Sequence, residues 1–87
     1  MIFFIGSYTE PGSPASFPKG TGISSCTFDP LSGCIKIIDS QFQRNPSYPI
    51  VSANGKILYA AEEMFASRKP MLVAYRILVD RSLFKLN

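Results

Sequence analysis

At 87 residues and 46% apolar content, the chain holds at most one small domain with a thin core, and its composition excludes disorder. Nine basic residues against six acidic ones leave a net charge of +3, and they are scattered rather than massed, so no nucleic-acid partner is expected. The opening MIFFIG lacks a basic leader, its apolar run is too short for a signal peptide, and no run reaches membrane-spanning length; a cytoplasmic protein with no membrane partner is expected.

Seven Phe, four Tyr and clustered β-branched residues favour strands over helices, and seven strands are expected. IFFIGSYT (2–9) reads as a buried strand with a polar exit, followed by a loop over 10–21 with three Pro and two Gly. GISSCTF (22–28) and CIKIID (34–39) read as strands joined by the turn DPLSG (29–33). In that hairpin, pairing of Phe28 with Cys34 sets Cys26 opposite Lys36, so no disulfide is expected and both thiols are read as buried and free, as in a reducing compartment. SQFQRNPSY (40–48) reads as a connection in which Pro46 holds Asn45 extended. PIVSA (49–53) and KILYAAE (56–62) flank Asn54-Gly55, a strong short-hairpin signal. EMFASRKP (63–70) reads as a loop with a possible helical turn, and MLVAYRILV (71–79) with LFKLN (83–87) reads as a last hairpin around DRS.

The strands repeat. FFIGSYT aligns with ILYAAEE, Phe3 on Ile57, and TFDPLSGCIKII aligns with RILVDRSLFKL, Ile35 on Phe84. A period of about fifty residues carrying four strands is the mark of a β-propeller blade. The first copy lacks its innermost strand and the second is complete. The expected fold is therefore all-β: a propeller fragment with three strands of a latch blade (1–40) and one complete four-stranded blade (41–87). In closed propellers the other end of the chain commonly supplies such a missing strand.

Blade geometry sorts the loops. One face of the ring receives Tyr8, Thr9, the 10–21 loop, Arg44 to Tyr48, and Glu62 to Lys69; the short turns DPLSG, NG and DRS lie on the other. Long polar and aromatic loops gathered on one side of a scaffold are where sites usually sit.

The ordered combination of FFIGSYT, KGTGISSCTFDPLSGCIKII, NPSY, ANGKILYAAEE and LVAYRILVDRSLFKLN resembles the start of the lactonase family of seven-bladed propellers, which includes 6-phosphogluconolactonase and the carboxy-muconate cyclising enzymes. The resemblance covers nearly the whole chain. It implies opening or closure of a lactone ring on a small anionic substrate, with no cofactor and no required metal. Three departures stand out: Asn54 replaces the usual Asp of the Asp-Gly-Lys turn, Glu62-Glu63 replaces Asn-Glu, and DRS replaces a longer Gly-containing turn. The family's catalytic His and Arg belong to later blades, and this chain has no His.

Within that frame Glu62 and Glu63 are the candidate catalytic carboxylates, able to orient water or an imidazole during lactone opening. Adjacent strand residues face opposite ways, so one of them at most points into the channel. Tyr8, Arg44, Asn45, Ser47 and Tyr48 are the candidate substrate contacts, and Arg44, Lys19, Arg68 and Lys69 suit a phosphate or carboxylate. The plain alternatives are a solvated strand end, an Asn-Pro turn and exposed loop charges. Two cysteines without His make no zinc site, GTG (20–22) is no phosphate loop, and DPLSG lacks the ligands of a calcium loop. Two readings remain: the N-terminal part of a sugar-lactone or phosphosugar-lactone hydrolase, inactive by itself, or a non-catalytic truncated propeller that acts as a binding or assembly module or has no function; in either, open sheet edges invite self-association.

Overall fold

The computed structural model describes residues 1–10, 19–63 and 71–87. These form seven strands and no helix: β1 (Ile2–Gly6), β2 (Ile23–Phe28), β3 (Ile35–Gln41), β4 (Pro46–Val51), β5 (Ile57–Glu62), β6 (Leu72–Ile77) and β7 (Leu83–Lys85). They make two antiparallel meanders, a three-stranded sheet in the order β1-β2-β3 and a four-stranded sheet in the order β4-β5-β6-β7. This all-β pairing of a three-stranded and a four-stranded sheet is the expected propeller fragment. No helix among the described residues is long and apolar enough to cross a membrane.

Strand alternation builds the core. Cross-strand partners share a face, so the pairs Leu58↔Tyr75, Ala60↔Val73 and Ile77↔Leu83 put one apolar stripe on one side of the second sheet. That stripe meets Ile23 and Phe4 of the first sheet, and together they form the buried cluster between the blades. Burying a side chain of this size stabilises by about 1.5–3 kcal/mol. Two polar contacts sit with it. The Tyr75 hydroxyl donates to Gln43 Oε1 at 2.7 Å, and Gln43 Nε2 donates to the Ala60 carbonyl at 3.2 Å. Burial, with the Glu62 charge adding to it, pushes the Tyr75 phenol up to about 12. At the far end Ser25 Oγ donates to the Arg81 carbonyl at 2.7 Å and ties the sheets together.

Several local expectations are corrected. β1 ends at Gly6 rather than Thr9, and it is not fully buried: Ile2 borders the open cleft between the sheets and Ile5, on the opposite face, is exposed. Phe28 pairs with Ile35 rather than Cys34, and a bulge at Ser25/Cys26 sets Cys26 opposite Ile37. Both thiols are free; Cys26 is buried, but Cys34 is exposed because it belongs to the turn, where its carbonyl accepts from the Asp29 amide. β3 runs on to Gln41 and β4 begins at Pro46, so the connection between the sheets shrinks to 42–45. β6 stops at Ile77 and β7 at Lys85, short of the expected strand ends.

The Asn54-Gly55 hairpin is not a two-residue loop. Gly55 N–H donates to the Ser52 carbonyl at 2.9 Å and Ser52 N–H to the Ile57 carbonyl at 2.8 Å, while Asn54 stays at negative φ. The Asn54 side chain instead accepts from Ser52 Oγ and from the Lys56 amide, a local bond that competes with the tighter turn. Gly55 then occupies the left-handed position at φ 74°. The expected helical turn in 63–70 lies outside the described residues apart from Glu63.

Candidate functional site

The exit of β1, the 42–45 connection and the exit of β5 meet at one end of the two sheets. Asn45 joins them. It is fully buried, and its Oδ1 accepts from the Thr9 amide at 2.8 Å, the Glu10 amide at 3.1 Å and Thr9 Oγ1 at 3.3 Å. Its own amide donates to Thr9 Oγ1 at 3.1 Å, and its carbonyl accepts from the Glu63 amide at 2.9 Å. Asn45 is left-handed at φ 41° and not extended, which corrects the reading from Pro46: this network outweighs the pre-proline preference, and Asn tolerates that region better than most residues.

The adjacent carboxylates diverge, as strand alternation requires. Glu62 Oε1 pairs with Arg44 Nη2 at 3.0 Å, with the two side chains 12% and 30% exposed. This hydrogen bond, then the Glu62 charge and a smaller effect of Glu10, holds the Arg44 guanidinium above its usual pKa. Glu63 takes the other direction, and its Oε1 accepts from the Tyr8 hydroxyl at 2.9 Å. That bond is the main cause raising the Tyr8 phenol above its ordinary value, with burial and the Glu63 charge behind it.

Between β1 and β4 lies a cleft of about 430 Å³, lined by Gly6, Ser7, Tyr8, Pro46, Ser47, Tyr48, Pro49 and Glu63. The register of β4 against β5 shifts between Ser47 and Ile50, so Tyr48 and Pro49 bulge from the ladder. The bulge leaves Tyr48 at φ 48° with 84% of its surface exposed at the cleft. A bulky aromatic residue at positive φ is a true backbone outlier, and such strain concentrates at functional sites.

Of the residues expected at a site, Tyr8, Ser47, Tyr48 and Glu63 line this cleft, and Asn45 lies outside its lining, bonded to the β1 exit. Arg44 and Glu62 are bound to each other beside it, Lys19 is exposed, and Arg68 and Lys69 lie outside the described residues. Gly6, Ser7, Pro49 and the Gln43–Tyr75 pair are additions to the residues expected there. A second cleft of about 360 Å³ between the sheets is lined mainly by apolar groups, among them Phe3, Phe4, Val51 and Ile77, with Arg81 at its edge. Among the described residues no group of three or more His, Cys, Asp or Glu is placed to hold a metal ion. The Tyr8–Glu63 pair can orient a hydroxyl or a water and share its proton, but the chain holds no imidazole to complete acid–base chemistry.

No curated protein matches the chain in a sequence comparison. The family described as "Lactonase, 7-bladed beta-propeller" matches residues 2–87. With two antiparallel sheets, no helix among the described residues, and a family match over all but the first residue, the chain belongs to the lactonase family of seven-bladed β-propellers.

Proposed function

We propose that this chain is the N-terminal part of a cytoplasmic lactone hydrolase acting on a sugar lactone, phosphorylated or not, such as 6-phosphogluconolactone. In this reaction water adds to the ring carbonyl, the ring C–O bond breaks, and the released alkoxide takes up a proton. Glu63, held by Tyr8, is the carboxylate of this chain that faces the substrate and orients water or an imidazole brought by another blade. Glu62 positions Arg44. The observation that carries this reading is the Tyr8–Glu63 hydrogen bond at the mouth of a cleft in a lactonase-family blade pair. The two free cysteines fit a reducing cytoplasm.

Hydrolysis needs groups beyond these two sheets, since a seven-bladed ring is built around a channel that all its blades line. The purified 87-residue chain is therefore expected to open gluconolactone and 6-phosphogluconolactone no faster than buffer, measured by proton release at constant pH. Turnover above that background would overturn the claim of inactivity. The native product in its source cells, detected by an antibody to the 10–21 loop, is expected to be several times heavier than this chain. A native product of the same mass would sink the hydrolase reading.

A second reading, an assembly module, is favoured by the apolar residues exposed on the outer faces of both sheets.

A further inference from the structure

Three short turns, at the end of the sheets away from the β1–β4 cleft, share one device. In the first, Asp29 Oδ1 accepts from the Leu31 amide at 3.0 Å and Oδ2 from Ser32 Oγ at 2.9 Å. In the last, Asp80 Oδ1 accepts from the Ser82 amide at 3.0 Å and from Ser82 Oγ at 2.6 Å. In the middle turn, Asn54 Oδ1 accepts from the Lys56 amide at 3.0 Å and from Ser52 Oγ at 2.6 Å. Asn54 and Asp80 hold equivalent places, since Gly55 N–H donates to the Ser52 carbonyl as Arg81 N–H donates to that of Leu78. The Leu31 amide, then the Ser32 hydroxyl, hold the Asp29 carboxyl below its usual range, and the Ser82 hydroxyl, then its amide, do the same for Asp80. Such a cradle suits a carboxylate. Of the three turns, the middle one fills it with a carboxamide, and there the next residue is a glycine.

We propose that Asn54-Gly55 is a self-modification site, at which the folded turn converts Asn54 to aspartate. The Gly55 nitrogen, its proton taken by hydroxide, attacks Asn54 Cγ; the N–Cγ bond forms and negative charge gathers on Oδ1. The Ser52 hydroxyl and the Lys56 amide already point there, as the donors of an oxyanion hole do. The Cγ–Nδ2 bond then breaks, the nitrogen takes a proton from water and leaves as ammonia, and a five-membered succinimide remains. Water adds at Cγ, the bond to the Gly55 nitrogen breaks, and that nitrogen regains its proton, leaving a carboxylate in the cradle. Gly55 suits the attack: it lies at φ 74°, carries no Cβ, and nothing lies within 4 Å of where one would stand. Its N–H must first leave the Ser52 carbonyl, which an exposed turn permits. Asn45 has no such route, because Pro46 has no N–H. Opening of the ring at the backbone carbonyl gives isoaspartate instead, which lengthens the backbone and pulls Gly55 from Ser52. The fold therefore favours aspartate, whose charge draws stronger bonds from the same two donors. None of this depends on the hydrolase reading.

The test is incubation of the 87-residue protein at mildly alkaline pH, folded and in urea, with the added negative charge read by isoelectric focusing and the product by peptide mapping. The folded chain is expected to convert at position 54. Its ratio of aspartate to isoaspartate should exceed that of the unfolded chain about tenfold, the equivalent of one retained hydrogen bond. Ser52→Ala should slow conversion of the folded chain about fivefold, less than an enzyme's oxyanion donor gives because the turn is open to water. Asn54→Asp, which makes the product directly, should raise the urea midpoint. A folded chain that keeps Asn54 while the unfolded chain loses it would overturn the proposal, as would isoaspartate as the main folded product. So would conversion as fast or faster in Ser52→Ala, or an unchanged or lowered midpoint in Asn54→Asp.

Discussion

Asn45 shows how much one side chain can organise. Its Oδ1 accepts two backbone amides from the β1 exit, and its carbonyl accepts the Glu63 amide, so it sets the spacing between Tyr8 and Glu63 without belonging to the cleft lining. Removing the oxygen takes its acceptor from two part-buried amides, each loss costing about 1–3 kcal/mol. Asn45→Ala should therefore lower the unfolding free energy by roughly 2–3 kcal/mol, read from urea denaturation. A loss below about 0.5 kcal/mol would show that water replaces the side chain without penalty. The Asn-Pro dipeptide announced a turn at this place. The left-handed backbone and the partners across thirty-six positions of sequence were not legible, because both depend on where the β1 exit lies in space.

At the scale of elements, two of the hairpin turns set a glycine in the left-handed region, Gly33 at φ 76° and Gly55 at φ 74°, and the last sets Arg81 there at φ 72°. Arg81 N–H donates to the Leu78 carbonyl as Gly55 N–H does to Ser52, so the two turns share a geometry while one carries a Cβ that the conformation disfavours. The contact with Ser25 uses the Arg81 carbonyl and survives a change of side chain. Arg81→Gly should accordingly stabilise the chain by about 0.5–1 kcal/mol, seen as a higher urea midpoint at unchanged slope. A lower midpoint would mean that the Arg81 side chain, which lines the cleft between the sheets, contributes more than its backbone strain costs. All seven strands were legible at this scale from apolar runs and turn residues. The bulge at Tyr48 was not: nothing in NPSYPI distinguishes a straight strand from one that shifts register, since the shift is set by the pairing with β5.

At the scale of the whole molecule, the two sheets bury only the faces they turn toward each other. Ile37 on β3 is 62% exposed, and Leu72 and Phe84 on the outer face of the second sheet are 60% and 58% exposed. Leu72 and Phe84 stand next to buried positions on their own strands, and β3 has no buried position at all, so these are open apolar faces rather than scattered surface residues. The isolated chain is expected to self-associate through these faces and through the unpaired edge of β1, with sedimentation that depends on concentration. Leu72→Lys should shift that dependence to higher concentration with little effect on the fold, because the side chain points away from the core. Sedimentation as a monomer at every concentration would refute the expectation.

Sequence by itself determined the strand content, the order of the hairpins, the four-strand repeat and the end of the sheets at which polar loops collect. All of these follow from local chemistry: alternation decides which residues share a face, and Gly, Pro and Asn decide where the chain turns. Tertiary structure alone decided that Glu63 faces the cleft while Glu62 holds Arg44, that Asn45 is buried in a network with the β1 exit, and that Tyr48 stands out on a strained bulge. Sequence stated that the two carboxylates must diverge. Which one went where depended on Tyr8 and Arg44 arriving from opposite sides, and hydrogen bonds across fifty-five and eighteen positions have no local signature.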